Sequence, residues 1–237
     1  MGFILLSIKY INAPADDIKQ NSIILGMRSM SQIKLTIRAT LCLLFMGWQT
    51  VSAEPDMLVA ADLQKILPEL QKGGYVIYFR HMSTEHSQED QRPVDLNDCK
   101  SQRPLSSKGQ QQADKVGSAF RRLKIPLESV TTSPFCRCKE TARRAFGEFK
   151  VSMQLYFAMG LTREQKTVKG GQLRDMLSRP TSRGKNRIIV AHTANLQEAT
   201  GYWPKPEGVA YIFKPQKDSE YQVIGKVEPE TWVKLLK

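Results

Sequence analysis

Tyr75-Val76-Ile77-Tyr78-Phe79-Arg80-His81 decides the reading of this chain. Gly73-Gly74 precedes it and five apolar or aromatic residues follow without interruption. Such a run reads as a short strand covered on both faces, the habit of parallel strands flanked by helices. The polar pair Arg80-His81 closes it. A second stretch, Arg187-Ile188-Ile189-Val190-Ala191-His192, repeats the pattern. Each run delivers an imidazole at the C-terminal end of a strand, the edge at which ligands bind in open α/β sheets.

Working outward, apolar spacing predicts a helix over Leu58 to Leu70, with Pro68 capping or kinking its end. Residues 83–104 are polar and aperiodic and read as one long loop. Ser106 or Ser107 caps a helix running to about Leu123. Val130 to Ser133 reads as a strand, Cys136 to Phe146 as a helix, and Val151 to Tyr156 as a further strand. Leu161 to Leu177 reads as a weaker helix interrupted at Gly170-Gly171. A strand at Ile188 to Ala191 and a short helix from about Asn195 follow. Val209 to Phe213 and Tyr221 to Lys226 form a terminal hairpin-like pair. Strands alternating with helices predict an α/β fold: a single three-layer domain with a largely parallel central sheet flanked by helices.

That domain is expected to occupy residues 54–237. Residues 1–53 read as an N-terminal extension plus a signal peptide. Leu41 to Trp48 is apolar, Arg28, Lys34 and Arg38 precede it, and Val51-Ser52-Ala53 supplies small residues for cleavage. The apolar run is too short to span a membrane. The expectation is therefore removal after Ala53, a secreted or periplasmic location and no stable membrane span after processing. An uncleaved N-terminal anchor is the alternative. Asp16 and Asp17 are unusual in a targeting segment, so translation starting at Met27 or Met30 is a second expectation.

The chain has 35 Lys and Arg against 23 Asp and Glu, a formal net charge of +12. Such a surface favours anionic partners without choosing among them. No helix-turn-helix cue, zinc-finger spacing or lysine run is present, so nucleic acid is not an expected partner. Walker-type loops, G-x-S-x-G elbows and H-E-x-x-H pairs are also missing. Beyond Cys42, three cysteines remain. The simplest accounting pairs Cys99 with Cys136 or Cys138 and leaves one thiol.

Four ordered segments carry a resemblance. They are Arg80-His81-Met82-Ser83-Thr84, then Pro104-Leu105-Ser106 to Gly109 with Gln112-Ala113. Ser133-Pro134-Phe135-Cys136-Arg137 with Thr141-Ala142 follows, and Val190-Ala191-His192 comes last. Together they resemble the histidine phosphatase superfamily, in its phosphoglycerate-mutase-like branch, over roughly Tyr75 to Phe213. The resemblance implies a phosphomonoester hydrolase that needs neither metal nor cofactor. Its catalytic residues would be His81 as nucleophile, His192 opposite it, and Arg80 and Arg137 as a clamp on the phosphoryl oxygens. Thr84 would contact the substrate. Arginine suits the clamp, because its planar fork donates bidentately to phosphate.

Two departures from the family pattern stand out. Met82 replaces the usual glycine, with the expectation that it narrows the pocket or shifts the turn. The usual proton-donating acid has no obvious counterpart, so Glu207 and Glu164 are the candidate donors. The substrate class implied is an anionic phosphorylated small molecule or envelope component. A non-catalytic phosphate- or envelope-ligand-binding protein on the same fold is the alternative reading.

Overall fold

The computed structural model describes residues 60–236, with side chains from Leu63 onward. The proposed leader, its cleavage point and the alternative start sites lie outside the described residues. Helix α1 (Ala60–Lys72) carries Pro68 within it and leads into strand β1 (Val76–Arg80). Helix α2 (Ser107–Arg122) follows, with the Ser106 side chain accepting from Gly109 N as its N-cap. Then come β2 (Leu127–Thr132), α3 (Cys136–Phe146), β3 (Lys150–Val151) and α4 (Arg163–Ser178). The chain closes with β4 (Asn186–Ala191), α5 (Thr193–Thr200), β5 (Ala210–Pro215), β6 (Tyr221–Val227) and α6 (Pro229–Lys234).

The six strands form one sheet in the order β3-β2-β4-β1-β5-β6. β3, β2, β4 and β1 run parallel. β5 and β6 are antiparallel additions on the other edge, so the sheet is mixed rather than wholly parallel. The strand pleat divides the core in two. Ile77, Phe79, Ile188, Val190 and Ile212 face α1, α2, α3 and α6, where Trp232 is fully buried. Val76, Tyr78, Ile189, Ala191 and Phe213 face α4 and α5, against Leu173, Leu177 and Leu196. Successive side chains point to opposite faces, so a strand apolar throughout is what a three-layer arrangement requires.

Three local expectations are corrected. The strand expected over Val151 to Tyr156 stops at Val151. Ser152 then accepts from Gln154 N and starts a 3-10 turn over Met153–Leu155 that drops Leu155 into the second core cluster. Helix α4 is not interrupted at Gly170-Gly171. A Cβ on Gly170 would lie 2.5 Å from Glu198 O, so the glycine lets α5 approach rather than breaking the helix. Third, loop 83–104 is not structureless. A bridge pairs Thr84 with Leu105, a 3-10 turn spans Cys99–Ser101, and a disulfide joins Cys99 to Cys136 at the start of α3. Helix α6 was not expected from apolar spacing, although Pro229 at its first turn followed by Glu230 is a helix-start signal.

Candidate active site

The sheet register builds the site. Arg80 pairs with Ala191 across the parallel β1–β4 ladder, so the next residues, His81 and His192, leave the sheet side by side. Their rings meet edge to face with centroids 5.5 Å apart. Neighbouring β2 ends at Thr132, and Ser133 beyond it places Oγ 2.8 Å from His192 Nε2.

His81 Nδ1 lies 2.9 Å from Met82 O. A carbonyl can only accept, so Nδ1 carries the hydrogen and the lone pair is on Nε2. Burial and then the Arg137 charge hold the His81 pKa well below the ordinary imidazole value, and the Met82 carbonyl offsets this only in part. Burial, Arg137 and His81 do the same to His192. Both rings are therefore neutral at neutral pH, the form in which an imidazole nitrogen can attack. His192 is walled by Phe135 and Phe157, with ring centroids at 5.0 and 4.5 Å, and its carbonyl accepts from Tyr78 OH at 2.6 Å.

Arg137 sits in the first turn of α3, its guanidinium over the Phe135 and Phe157 rings at 4.7 and 5.4 Å. Its side chain is wholly covered, and Nη1 donates to both oxygens of Asp90 at 2.8 and 3.1 Å. Nε and Nη2 are buried with no hydrogen-bond partner. Arg80 donates from Nη1 to Pro204 O and from Nη2 to Glu207 Oε1, and its Nε is likewise unpartnered. Buried donors without acceptors are costly, and an oxyanion among them would satisfy several at once.

Residues 76–158 match the family model "Histidine phosphatase superfamily (branch 1)". That segment, from the first strand to beyond the third, is similar to the histidine phosphatase superfamily. Comparison with curated proteins gives no match. Among solved structures, the chain is similar to the protein histidine phosphatase SixA complexed with tungstate, at 14% identity and a TM-score of 0.44, covering 69% of this chain and 99% of that one. It is also similar to phosphoserine phosphatase from Entamoeba histolytica in complex with 3-phosphoglyceric acid, at 15% identity and a TM-score of 0.48, covering 67% and 98%. A mycobacterial glucosyl-3-phosphoglycerate phosphatase with VO3 gives 13% identity and a TM-score of 0.46, covering 64% and 97%.

The structure gathers His81, His192, Arg80 and Arg137 at one end of the sheet. The other candidates are placed differently. Thr84 directs its amide and hydroxyl to Glu207, at 2.9 Å each. Glu207 thus spends both oxygens on Arg80 and Thr84, with the exposed His86 3.7 Å away. Glu164 is exposed in the first turn of α4. Its pKa is lowered by its own backbone amide and by Thr162, which suits a carboxylate rather than an acid. Met82 neither narrows the pocket nor fills it. Its side chain is fully buried in the first core cluster, and its sulfur would stand 2.8 Å from a Cβ on Gly208, whose φ is +82°.

Two residues escaped the sequence reading. Arg103, at the far end of loop 83–104, has a buried, unpartnered Nε, and its charge opposes protonation of His81 and His192. Asp90, from the same loop, meets Arg137. Both were visible only as charges in a polar loop, with nothing in their spacing to show that a disulfide folds the loop over the strand ends. A cavity of about 600 Å³ opens beyond them, lined by Asp90, Arg92, Arg103, Phe135, Tyr156 and Phe157 among others.

The remaining thiol, Cys138, is buried 3.5 Å from His192 Nε2, and burial pushes its pKa up to about 12. It is inert packing rather than a nucleophile. Among the described residues no group of three or more His, Cys, Asp or Glu side chains is placed to hold a metal ion. Among the same residues no helix is long and apolar enough to cross a membrane.

Proposed function

We propose that the chain is a metal-independent phosphomonoester hydrolase acting through a phosphohistidine on His81. The observation that carries the proposal is the neutral His81 ring, its Nδ1 fixed on Met82 O, facing His192 among guanidinium groups with unpartnered donors. Nε2 attacks phosphorus and the phosphoryl oxygens take the open donors of Arg137 and Arg80. Charge spreading over those oxygens in the transition state is met by groups already in place. Water then hydrolyses the phosphohistidine.

The proposal includes export and an anionic phosphorylated substrate from the envelope or its surroundings. The leader-like pattern of residues 28–53 supports export, and so does the Cys99–Cys136 disulfide, since such bonds persist in oxidising compartments. The basic charge and the arginine-lined cavity support an anionic ligand.

The test is hydrolysis of an aryl phosphate by the chain in excess EDTA, with His81→Ala alongside. Turnover that survives chelation and disappears in the variant is expected. Tight vanadate binding without any turnover would instead identify a ligand-binding protein on the same fold.

A further inference from the structure

A phosphomonoesterase also needs a proton for its leaving alcohol, and neither candidate acid is placed to give one. Glu207 is held by Arg80 and Thr84, and Glu164 is exposed at a helix start. Asp90 is placed otherwise. Like Glu207 on Arg80, its carboxylate is paired to a clamp arginine, with oxygens 2.8 and 3.1 Å from Arg137 Nη1 and Oδ1 accepting from Arg103 N at 2.9 Å, but of the three acids it is the one that lines the cavity. The side chain is 17% exposed and faces the cavity of about 600 Å³. Phe135 and Phe157 line that cavity and also pack on His192. On its other side the histidine pair is backed by β1, β4 and the core, where Met82 lies. The alcohol of an ester bound at the histidines would extend past Phe135 and Phe157 into the cavity, beside Asp90.

Resting on the phosphohistidine reading above, we infer that Asp90 is the general acid of the first step. A phosphate bound on the open Nε and Nη2 of Arg137 lies beside Asp90, which keeps Nη1. Two neighbouring anions in a desolvated site favour uptake of one proton, which the carboxyl draws from solvent or from the monoanionic ester. His81 Nε2 then forms the N–P bond as the P–O ester bond breaks. The bonding pair stays on the ester oxygen, which receives the Asp90 proton and leaves as the alcohol. In the second step the Asp90 carboxylate takes a proton from water while the water oxygen attacks phosphorus. The P–N bond breaks, its electrons return to His81 Nε2, and inorganic phosphate is released. Loop position supports the role, since Cys99–Cys136 anchors the Asp90 loop to the residue immediately before Arg137.

Leaving-group dependence tests the assignment. The full chain and its Asp90→Asn variant are assayed with 2,4-dinitrophenyl phosphate, whose phenol leaves without a proton, and with glycerol 2-phosphate, whose alcohol does not. The inference predicts that Asp90→Asn lowers kcat/KM on the alkyl ester by about 10²-fold or more and changes the dinitrophenyl ester by less than about fivefold. Retained dinitrophenol release, which at kcat/KM reports the first step alone and does not need Asp90 as the base of the second, shows that the variant is folded. Glu207→Gln is expected to slow both esters alike, because it loosens Arg80. Equal losses on both esters in Asp90→Asn overturn the inference while leaving the phosphatase reading intact. Equal gains would also overturn it, showing Asp90 to be only a plug on Arg137. A wild-type chain that turns over neither ester removes the phosphatase reading, and this inference with it.

Discussion

The His81 and His192 rings stand edge to face, 5.5 Å between centroids, each almost wholly buried and each pushed toward the neutral form by burial and by Arg137. Depressed imidazole pKa values link folding to pH. Below about pH 6.5 the unfolded chain binds protons that the folded rings refuse, so stability rises with pH through this range. The stability from these two neutral rings is complete above the unfolded value and is lost as pH falls below it. The loss should approach about 1.4 kcal/mol per pH unit for each ring. Urea unfolding at pH 7.5 and 5.5 checks this, and His192→Gln should flatten the difference. A pH dependence unchanged in the variant would contradict it.

Arg137 should not tolerate lysine. Its guanidinium lies over the Phe135 and Phe157 rings, at 4.7 and 5.4 Å, with Nε and Nη2 open, and an ammonium cannot reproduce that fork. Arg137→Lys is expected to lose about 3 kcal/mol of transition-state stabilisation, on the order of 10²-fold in kcat/KM. Inhibition by phosphate and vanadate should weaken in parallel. Near-normal values in steady-state assays would remove Arg137 from the clamp.

Met82 marks where the sequence was readable and where it was not. The strand ends were legible because apolar runs of four and five residues between turn signals have one stable use in a layered α/β fold. Register then forced His81 and His192 together. Whether Met82 faced the ligand or the core was not legible, since that depends on Gly208, over 100 residues away, making room for its sulfur. The sheet's last two strands were legible as a hairpin, whereas β3 was overextended because Leu155 looks equally apolar in a strand or a turn. Asp90 and Arg103 were invisible because a disulfide and backbone hydrogen bonds, not periodicity, shape their loop.

That placement gives Met82→Gly a definite outcome. Restoring the family's glycine should not improve phosphate binding. It should leave a cavity beneath the sheet edge and cost about 2–5 kcal/mol of stability, the range for truncating a buried methionine. Thermal or urea unfolding would show it. A variant as stable as wild type with tighter phosphate binding would contradict the placement.

Cys99–Cys136 closes a loop over a sequence separation of 37 residues. Chain entropy assigns such a crosslink about 3–4 kcal/mol. Cys99→Ser should therefore destabilise the fold by that order. It should also raise KM, since Asp90 and Arg103 lose their anchor to the start of α3. Unfolding curves and kinetics of the single variant check both, and an unaltered KM would separate the disulfide from the site.

The central claim is a covalent phosphoryl group on His81. Rapid mixing of the full chain with labelled substrate in excess EDTA, followed by quenching in alkali, which preserves phosphohistidine, and peptide mapping, tests it most directly. The account predicts label on the peptide containing His81, chased by unlabelled substrate and missing in His81→Ala. Label on another residue, or turnover with no labelled intermediate and full activity in His81→Ala, would contradict it.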